Sequence, residues 1–241
     1  MNPYSKWIGL MVLSGLMVAS VRADLPTDPE EYREWEARML SSIAGKKEKA
    51  DEESYLKLTG YICQLSLSTN REREGRPVSN AAREALISFP DHAAYLERLL
   101  EQAVQAEYAE ARHQPRISAP FNQYQLFVAI KELRTPSCIA LLGKLLEDDR
   151  EPWKDKPEKD GDRPGANSTF AVSTLNALEI QGVSVMPLKS DRDFEAARNQ
   201  WKLWFGEVKA GTRTFRFKGD PREYNLQGPV SAEALPAEKA K

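Results

Sequence analysis

The sequence contains few of the residues from which metal sites and nucleophilic triads are built. Its 241 residues include only two histidines, His92 and His113, and two cysteines, Cys63 and Cys138. A structural zinc ion takes about four Cys or His ligands, and no cluster of these residues with suitable spacing is present. The chain also has neither a Gly-x-Ser-x-Gly motif nor a glycine-rich phosphate loop. We therefore expect no metal, no cofactor and no catalytic triad.

A strong excess of charge is also missing. The formal net charge is −2 at pH 7, and acidic and basic side chains are interspersed along the chain. A nucleic-acid-binding protein normally carries a net basic surface, so we expect no nucleic acid partner. Aspartate and glutamate are abundant throughout, and for that reason no pair of carboxylates stands out as the acid and base of an enzyme.

No long apolar run follows residue 23. Residues 1–23 combine an early positive charge, Lys6, with an apolar stretch over residues 7–21 and small residues at the minus-three and minus-one positions before Asp24. This pattern is typical of a secretory signal peptide that is cleaved after Ala23. The alternative, a transmembrane anchor, needs about 20 apolar residues, and this stretch is shorter and interrupted by glycine and serine. We expect a periplasmic or secreted mature protein that is not stably inserted in a membrane.

The two cysteines leave two alternatives open. An even number in an exported protein permits a disulfide bond between Cys63 and Cys138. Both cysteines, however, lie among apolar residues in helical patterns, and cysteine is one of the most frequently buried residue types. Two buried and inert thiols are the second interpretation.

The chain contains an internal repeat. Residues 89–102 align without a gap on residues 135–148, with proline, alanine, three leucines and a glutamate at matching positions and a shift of 46 residues. A period near 46 residues falls in the range of repeats built from helical hairpins. Proline suits the first position of a helix and Thr135 is a good N-cap, so the repeat predicts that helices begin at Pro90 and Pro136. His92 aligns with Cys138, which favours a packing role for this histidine over a metal-binding one.

Each copy of the repeat is preceded by another predicted helix, over residues 79–88 and 121–133. The segment 128–148 resembles a HEAT-like repeat: an alanine- and leucine-containing helix, a short turn before proline, and a second helix with paired leucines. The resemblance extends partly to residues 79–110. It implies an all-α fold, an α-solenoid of about three HEAT-like helical hairpins, whose surface holds a protein or peptide partner.

The rest of the chain is also predicted to be mainly helical. Capping residues Asp28 and Asp51 predict two N-terminal helices, and further helices are expected over residues 167–180 and from Ser190 onwards. Residues 148–166 are rich in charge, proline and glycine and predict a long loop. The predicted organisation is therefore a signal peptide (1–23) followed by one helical domain (24–226).

The C-terminal part departs from the helical pattern. Residues 212–217 alternate between polar and apolar side chains, as in a strand, and a turn at residues 219–221 separates them from Glu223 to Leu226. We expect a short β-hairpin over residues 212–226. Residues 227–241 are rich in Ala, Pro, Glu and Lys and predict a disordered tail.

The motif Asn167-Ser168-Thr169 has two interpretations. It matches the acceptor sequence for an N-linked glycan, and it also matches a helix N-cap. We prefer the cap, because a helix is predicted to begin at this point.

A small group of aromatic and basic residues is the predicted partner-binding site. Large aromatic rings and arginines are enriched at protein interfaces. Trp201 and Trp204 could line a carbohydrate or peptide groove, but both follow the apolar stripe of a helix, which favours a place in the core. The predicted partner-binding residues are Trp153, in the long loop, and Arg213, Phe215, Arg216 and Phe217 in the alternating segment. For the basic residues, a solvated strand face is the alternative.

Three functions are compatible with these patterns. The favoured one is an exported, non-catalytic protein that binds or scaffolds a protein or peptide partner. The second is an enzyme, or an enzyme accessory, that acts on cell-envelope material; the resemblance adds that some HEAT-like proteins are associated with chromophore lyases. The third is an envelope protein that assembles with itself.

Overall fold

The computed structural model describes residues 26, 28–67, 76–152, 165–183, 188 and 191–230. About 66% of these residues are helical, so the described part of the chain has the predicted all-α fold with a short C-terminal β-hairpin. Its helices are α1 (Pro29–Lys47), α2 (Glu52–Leu67), α3 (Arg76–Ile87), α4 (His92–Ala111), α5 (Gln123–Leu133), α6 (Pro136–Leu145), α7 (Asn167–Ala177) and α8 (Asp191–Lys209). The predicted signal peptide and Trp153 lie outside the described residues.

The chain divides into two compact units. The first comprises Met1–Leu133 with Pro152–Pro164, and the second comprises Arg134–Glu151 with Gly165–Lys241. The boundary after Leu133 falls inside the segment 128–148.

Helices α1 and α2 begin at the predicted capping residues. The Asp28 carboxylate accepts hydrogen bonds from the backbone N–H groups of Glu30 and Glu31, at 2.8 and 3.0 Å. The Asp51 carboxylate accepts one from the N–H of Ser54 at 2.8 Å. Such caps satisfy N–H groups of the first helical turn, which have no partner within the helix.

The core of the first unit is built around α2. This helix packs on α3 and α5, while α1 packs on α3, and α4 packs on α5. The largest fully buried side chains of this unit are aliphatic: Leu58, Ile62, Leu86, Leu96, Leu99, Leu100, Leu126, Ile130 and Leu133. The buried face of α3 is thus covered mainly by α1 and α2.

The two copies of the repeat begin differently. Helix α6 begins at Pro136, and the Thr135 hydroxyl caps it by accepting a hydrogen bond from the N–H of Cys138 at 3.2 Å, as predicted. Helix α4 begins at His92 instead of Pro90. There Pro90 lies in the turn before the helix, and the buried His92 ring has Nδ1 2.7 Å from the carbonyl oxygen of Phe89. This contact is consistent with the predicted packing role of His92.

Two tyrosines connect α2 to the start of α4. The rings of Tyr55 and Tyr95 stack with their centroids 4.3 Å apart, and both side chains are buried. The Tyr55 hydroxyl donates to Asp91, and the Tyr95 hydroxyl donates to Glu52 at 3.1 Å. Burial, followed by the charge of Glu52, raises the pKa of Tyr95. The hydroxyl therefore stays protonated and donates to the carboxylate.

The second unit packs α7 against α6 and α8. Trp201 and Trp204, predicted to follow an apolar stripe, are buried in α8 together with Ala197 and Val208. The Trp201 indole N–H donates to the side-chain oxygen of Asn176 on α7 at 2.7 Å. This hydrogen bond connects α8 to α7 and gives the buried indole N–H of Trp201 an acceptor.

The C-terminal hairpin lies further along the chain than predicted. Its strands are β1 (Tyr224–Asn225) and β2 (Gly228–Pro229), which pair antiparallel. The predicted pairing across residues 212–226 is present as one bridge, in which Phe215 and Tyr224 exchange both backbone hydrogen bonds at 2.9 and 2.8 Å. Residues 228–229 were predicted to belong to a disordered tail but form β2, because the Asn225 side chain accepts hydrogen bonds from the N–H groups of Gln227 and Gly228 and closes the turn.

Gly143 on α6 is expected to tolerate no side chain. A Cβ atom at this position would lie only 2.3 to 2.4 Å from three ring atoms of Phe205 on α8. Alanine normally stabilises a helix by about 1 kcal/mol relative to glycine. Overpacking a core costs about 1–3 kcal/mol, so we expect Gly143→Ala to lower the free energy of unfolding despite its better helix propensity. Urea denaturation followed by circular dichroism measures the change.

Gly206 provides the matched control for this substitution. It lies on α8, and a Cβ atom there would have no heavy atom within 4 Å. Gly206→Ala is therefore expected to stabilise the protein by about 1 kcal/mol. Adding Phe205→Ala to Gly143→Ala should remove the clash. Equal stabilisation by Gly143→Ala and Gly206→Ala would show that Gly143 on α6 does not lie close to the Phe205 ring on α8.

Candidate functional site

Two of the predicted partner-binding residues belong to the core. Phe215 and Phe217 are only 3% and 2% exposed. Their rings contact each other with centroids 5.4 Å apart, and Phe215 also contacts Trp204 and Tyr224. Successive side chains of an extended segment point to opposite faces, so residues 215 and 217 share the face that packs on α8. These two rings are not available to a partner.

The basic residues beside them are neutralised by carboxylates. Arg213 pairs with Glu207 at 2.8 Å, and Arg216 pairs with Glu223 at 3.0 Å. The same holds for Lys218 with Glu179 and for Arg222 with Asp220, both at 2.7 Å. The basic residues in this part of the chain therefore form a row of ion pairs. It has no net positive charge with which to attract an anionic partner, and a partner-binding role for Arg213 and Arg216 stays a prediction.

The segment Asn167-Ser168-Thr169 does not cap its helix with a side chain. The N-cap of α7 is Ala166, which forms no side-chain cap. Instead, Asn167 Nδ2 donates to Asp148 at 2.8 Å, and Ser168 Oγ donates to Asp149 at 2.7 Å. Asn167 is 2% exposed, so its amide is engaged within the fold and is not open to a glycan. The preferred interpretation as a cap was wrong because these side chains hold the loop after α6.

Hydrogen bonds from neighbouring side chains lower the pKa of the Asp148 carboxyl group. The Arg150 guanidinium donates to it through Nε and Nη2, at 2.8 and 2.9 Å, and Asn167 donates from the other side. These bonds favour the charged form and lower the pKa of Asp148 to about 2, although partial burial opposes them. The cluster stabilises the loop and is a structural feature.

Stability is expected to depend on the charge of Asp148 in a defined pH window. The unfolded pKa of aspartate is about 3.9. A lowered folded pKa stabilises the protein above pH 4, and this contribution disappears as the pH falls from about 4 to about 2. Asp148→Asn should therefore lower the free energy of unfolding at pH 7. In urea denaturation, the difference in this free energy between the variant and the wild type should become smaller towards pH 2.5. Glu147→Gln, which removes an exposed ion pair, serves as the control and should change stability by less than about 1 kcal/mol at pH 7. A difference for Asp148→Asn that is unchanged at pH 2.5 would contradict the prediction.

Both cysteines are free thiols in the interior. The Cys63 thiol donates to the carbonyl oxygen of Gln125 at 3.1 Å, and both side chains are no more than 1% exposed. Burial raises the pKa of Cys138 to about 11 and also raises that of Cys63. A nucleophilic cysteine needs a lowered pKa, so the structure favours inert core thiols over the disulfide bond.

The described residues include no group of three or more His, Cys, Asp or Glu side chains that could hold a metal ion. None of the helices described is both long enough and apolar enough to cross a membrane.

The candidate binding site is an open groove in the first unit. It lies between α4 and the connection to α5 and has a volume of about 650 Å³. Ala103, Ala106, Glu107 and Glu110 line it from α4, and their spacing places them on one face of the helix. The other side is formed by the connecting segment, including Arg116 and Ile117, with the buried Phe121 ring beneath. One wall of the groove therefore carries two carboxylates, and the other carries an arginine and an aliphatic side chain.

His113 redirects the chain at the end of α4 so that the groove can form. Its N–H donates to the carbonyl of Glu110 at 3.1 Å, and the N–H of Gln114 donates to the carbonyl of Ala109 at 2.8 Å. His113 itself has a φ of 53°. This pattern is a Schellman motif, which ends a helix by one left-handed residue and reverses the chain direction. No sequence pattern indicated that the residues after His113 form a wall of a groove.

Ile117 is the apolar side chain that the groove leaves open to solvent. It is 47% exposed, while Ala103 and Phe121 at the base of the groove are 2% and 3% exposed. Sequence reasoning missed this site, because residues 112–120 have no helical or strand periodicity. The prolines at positions 115 and 120 are the only local signal.

Comparison with protein-family models, curated proteins and solved structures finds no match to this chain.

Proposed function

We propose that this chain is an exported, non-catalytic protein that binds a protein or peptide partner in the groove beside α4. The observation that carries the proposal is the groove itself, which combines apolar surface at its base with an exposed Ile117 and charged walls. Apolar surface bordered by charged groups is the usual composition of a binding site.

The openness of the groove favours binding over catalysis. Glu110, His113 and Arg116 are all exposed. Catalytic acid–base groups generally act in sites from which water is excluded and where their pKa is tuned. Solvated charges on a groove wall suit the selection of a partner by its charge instead.

Export to the periplasm or the cell exterior is part of the proposal. It is supported by residues 1–23, which have the basic start, apolar centre and small residues of a signal peptide. Mass spectrometry of the protein from its native cells tests it. We expect an N-terminus at Asp24 in the extracytoplasmic fraction, and a chain that retains residues 1–23 would contradict cleavage.

We also propose that the helical part is related to HEAT-like repeats. The support is the 46-residue internal repeat, together with a short turn between the two helices of each copy, at residues 88–91 and at Arg134 and Thr135. An alignment of related sequences tests this proposal. Apolar residues are expected at positions 96, 99 and 100 and at the matching positions 142, 145 and 146, and loss of this shared pattern would contradict a repeat.

Selection from a displayed library of random seven-residue peptides tests the binding function. Ala106→Trp fills the groove, and Gln105→Trp places the same side chain on an exposed position of the same helix. Peptides selected by the wild type should bind the Gln105→Trp variant and lose at least about tenfold in affinity for the Ala106→Trp variant, or about 1.4 kcal/mol. Recovery of no peptide, or equal binding to both variants, would contradict the proposal.

A further inference from the structure

Two opposite charges lie on the two walls of the groove without pairing with each other. Glu110 belongs to the α4 wall, and Arg116 belongs to the wall formed by the connecting segment. Both side chains are exposed, and neither forms an ion pair or a side-chain hydrogen bond in the described part of the chain. Glu107, the other carboxylate of the lining, already interacts within the protein. The groove therefore offers a ligand one carboxylate and one guanidinium group that are not neutralised.

The Schellman motif at His113 places these two charges on different walls. Glu110 lies in the last turn of α4. The chain reverses its direction at His113, so Arg116 comes after the reversal. Because backbone hydrogen bonds hold the motif, the fold itself assigns one charge to each wall.

The base of the groove is apolar. It is formed by the buried Ala103 and Phe121, and the exposed Ile117 adds aliphatic surface beside Arg116. A ligand that covers this surface is favoured by the hydrophobic effect. The same ligand also takes water away from Glu110 and Arg116, and a charge that loses water without gaining a partner is unfavourable.

This desolvation determines which ligand charges fit. A purely acidic segment would pair with Arg116 but would be repelled by Glu110, and a purely basic segment would meet the reverse situation. A segment that carries one charge of each sign compensates both walls. The groove therefore favours ligands of mixed charge and disfavours ligands of a single sign.

We propose that the groove beside α4 binds a segment of a partner protein that carries a basic, an acidic and an aliphatic side chain. The basic side chain pairs with Glu110, the acidic one pairs with Arg116, and the aliphatic one covers the apolar base. This inference rests on the proposed function and specifies the chemistry of its partner.

Reversing the charge of each wall tests the assignment. Glu110→Arg makes both positions positive, and Arg116→Glu makes both negative. From the library of random seven-residue peptides, the wild type should select peptides that contain both signs. Glu110→Arg should select acidic peptides and Arg116→Glu basic ones, and the sign that is repelled should be depleted at least about threefold relative to the wild type.

The double variant makes this test specific for charge. Glu110→Arg combined with Arg116→Glu exchanges the two charges and should restore the selection of peptides that contain both signs. If the two residues only supported the structure, the two substitutions would not compensate each other. Both side chains are exposed, so the variants should fold, and circular dichroism checks this.

Binding of single peptides assigns each charge to its wall. Replacing the basic residue of a selected peptide by glutamine should weaken binding to the wild type about threefold to fivefold in fluorescence polarisation, as expected for an exposed ion pair. The same replacement should have little effect on binding to the Glu110→Gln variant. Replacing the acidic residue of the peptide should still weaken binding to that variant.

Two further variants serve as controls. Gln105→Arg adds a positive charge to an exposed position of α4 outside the groove. His113→Asn removes another ionisable side chain of the lining, and asparagine also accepts a positive φ. Both variants should select peptides of mixed charge, as the wild type does. If His113→Asn abolishes the selection of acidic residues and Arg116→Glu does not, the assignment of Arg116 is wrong.

The remaining outcomes separate this inference from the proposed function. If peptides bind and respond to Ala106→Trp, but the wild type and the charge variants select the same charges, the partner chemistry is wrong while the binding function stands. If light scattering shows a dimer of the full chain that Ala106→Trp dissociates, the occupant is a second copy and the inference is overturned. If no peptide is recovered, the proposed function fails together with the inference.

Discussion

Replacing Phe215 by alanine is expected to unfold part of the second unit instead of removing a partner contact. The ring is 3% exposed and lies within 6 Å, centroid to centroid, of Trp204, Phe217 and Tyr224. Truncation of a buried phenylalanine costs about 3–5 kcal/mol, through lost burial and the cavity left behind. Because the backbone of Phe215 also pairs with Tyr224, the loss should extend into the hairpin.

Urea denaturation and hydrogen exchange measure this effect. Exchange should become faster in α8 and in residues 224–229 when Phe215 is replaced. Arg213→Ala is the matched control: Arg213 lies two residues away and forms an exposed ion pair with Glu207, so its loss should cost less than about 1 kcal/mol. If Phe215→Ala proves as stable as Arg213→Ala, the ring is not part of the core.

Arg198→Ala is the second substitution with a large expected effect. The Arg198 side chain is 10% exposed, and its guanidinium donates from Nε to the carbonyl of Leu146 at 2.8 Å and from Nη2 to Asp149 at 2.7 Å. Leu146 is the C-cap of α6, where the helix dipole is negative. Hydrogen bonds to charged groups contribute about 1.5–3 kcal/mol each, so we expect a loss of about 3 kcal/mol.

Lys202 on the same helix provides the control. It pairs with Glu147 at 2.6 Å, but both groups are at the surface, and Lys202→Ala should cost less than about 1 kcal/mol. Arg198→Lys should recover only part of the stability, because an ammonium group cannot replace the two fixed directions of the guanidinium. Equal effects of Arg198→Ala and Lys202→Ala in urea denaturation would contradict this role.

Several helix boundaries could be predicted because their signals are local. Asp28, Asp51 and Thr135 cap helices within three residues of themselves, and such contacts depend only on the nearby chain. The apolar stripe of α8 likewise predicted that Trp201 and Trp204 are buried.

The roles of several other side chains could not be predicted, because they depend on contacts that are distant in sequence. Asn167 and Ser168 suggested a cap but bind carboxylates 19 residues earlier. Phe215 and Phe217 were predicted to bind a partner but are buried. The alternating pattern shows that the two rings share one face of the segment, but it does not show whether that face is buried or exposed. Pro90 suggested a helix start, but the turn before α4 delays it to His92.

The sequence by itself determined the all-α class, the main helices and the short C-terminal hairpin, since hydrophobic period and capping residues are local properties of the chain. The tertiary structure alone decided which aromatic residues are buried and which charges are paired. It also decided that the irregular segment after His113 lies beside Ala103 and Ala106 and forms a groove with them. A groove forms only where segments from different elements lie side by side. Helical periodicity and residue spacing are local patterns, so they do not predict which segments come together.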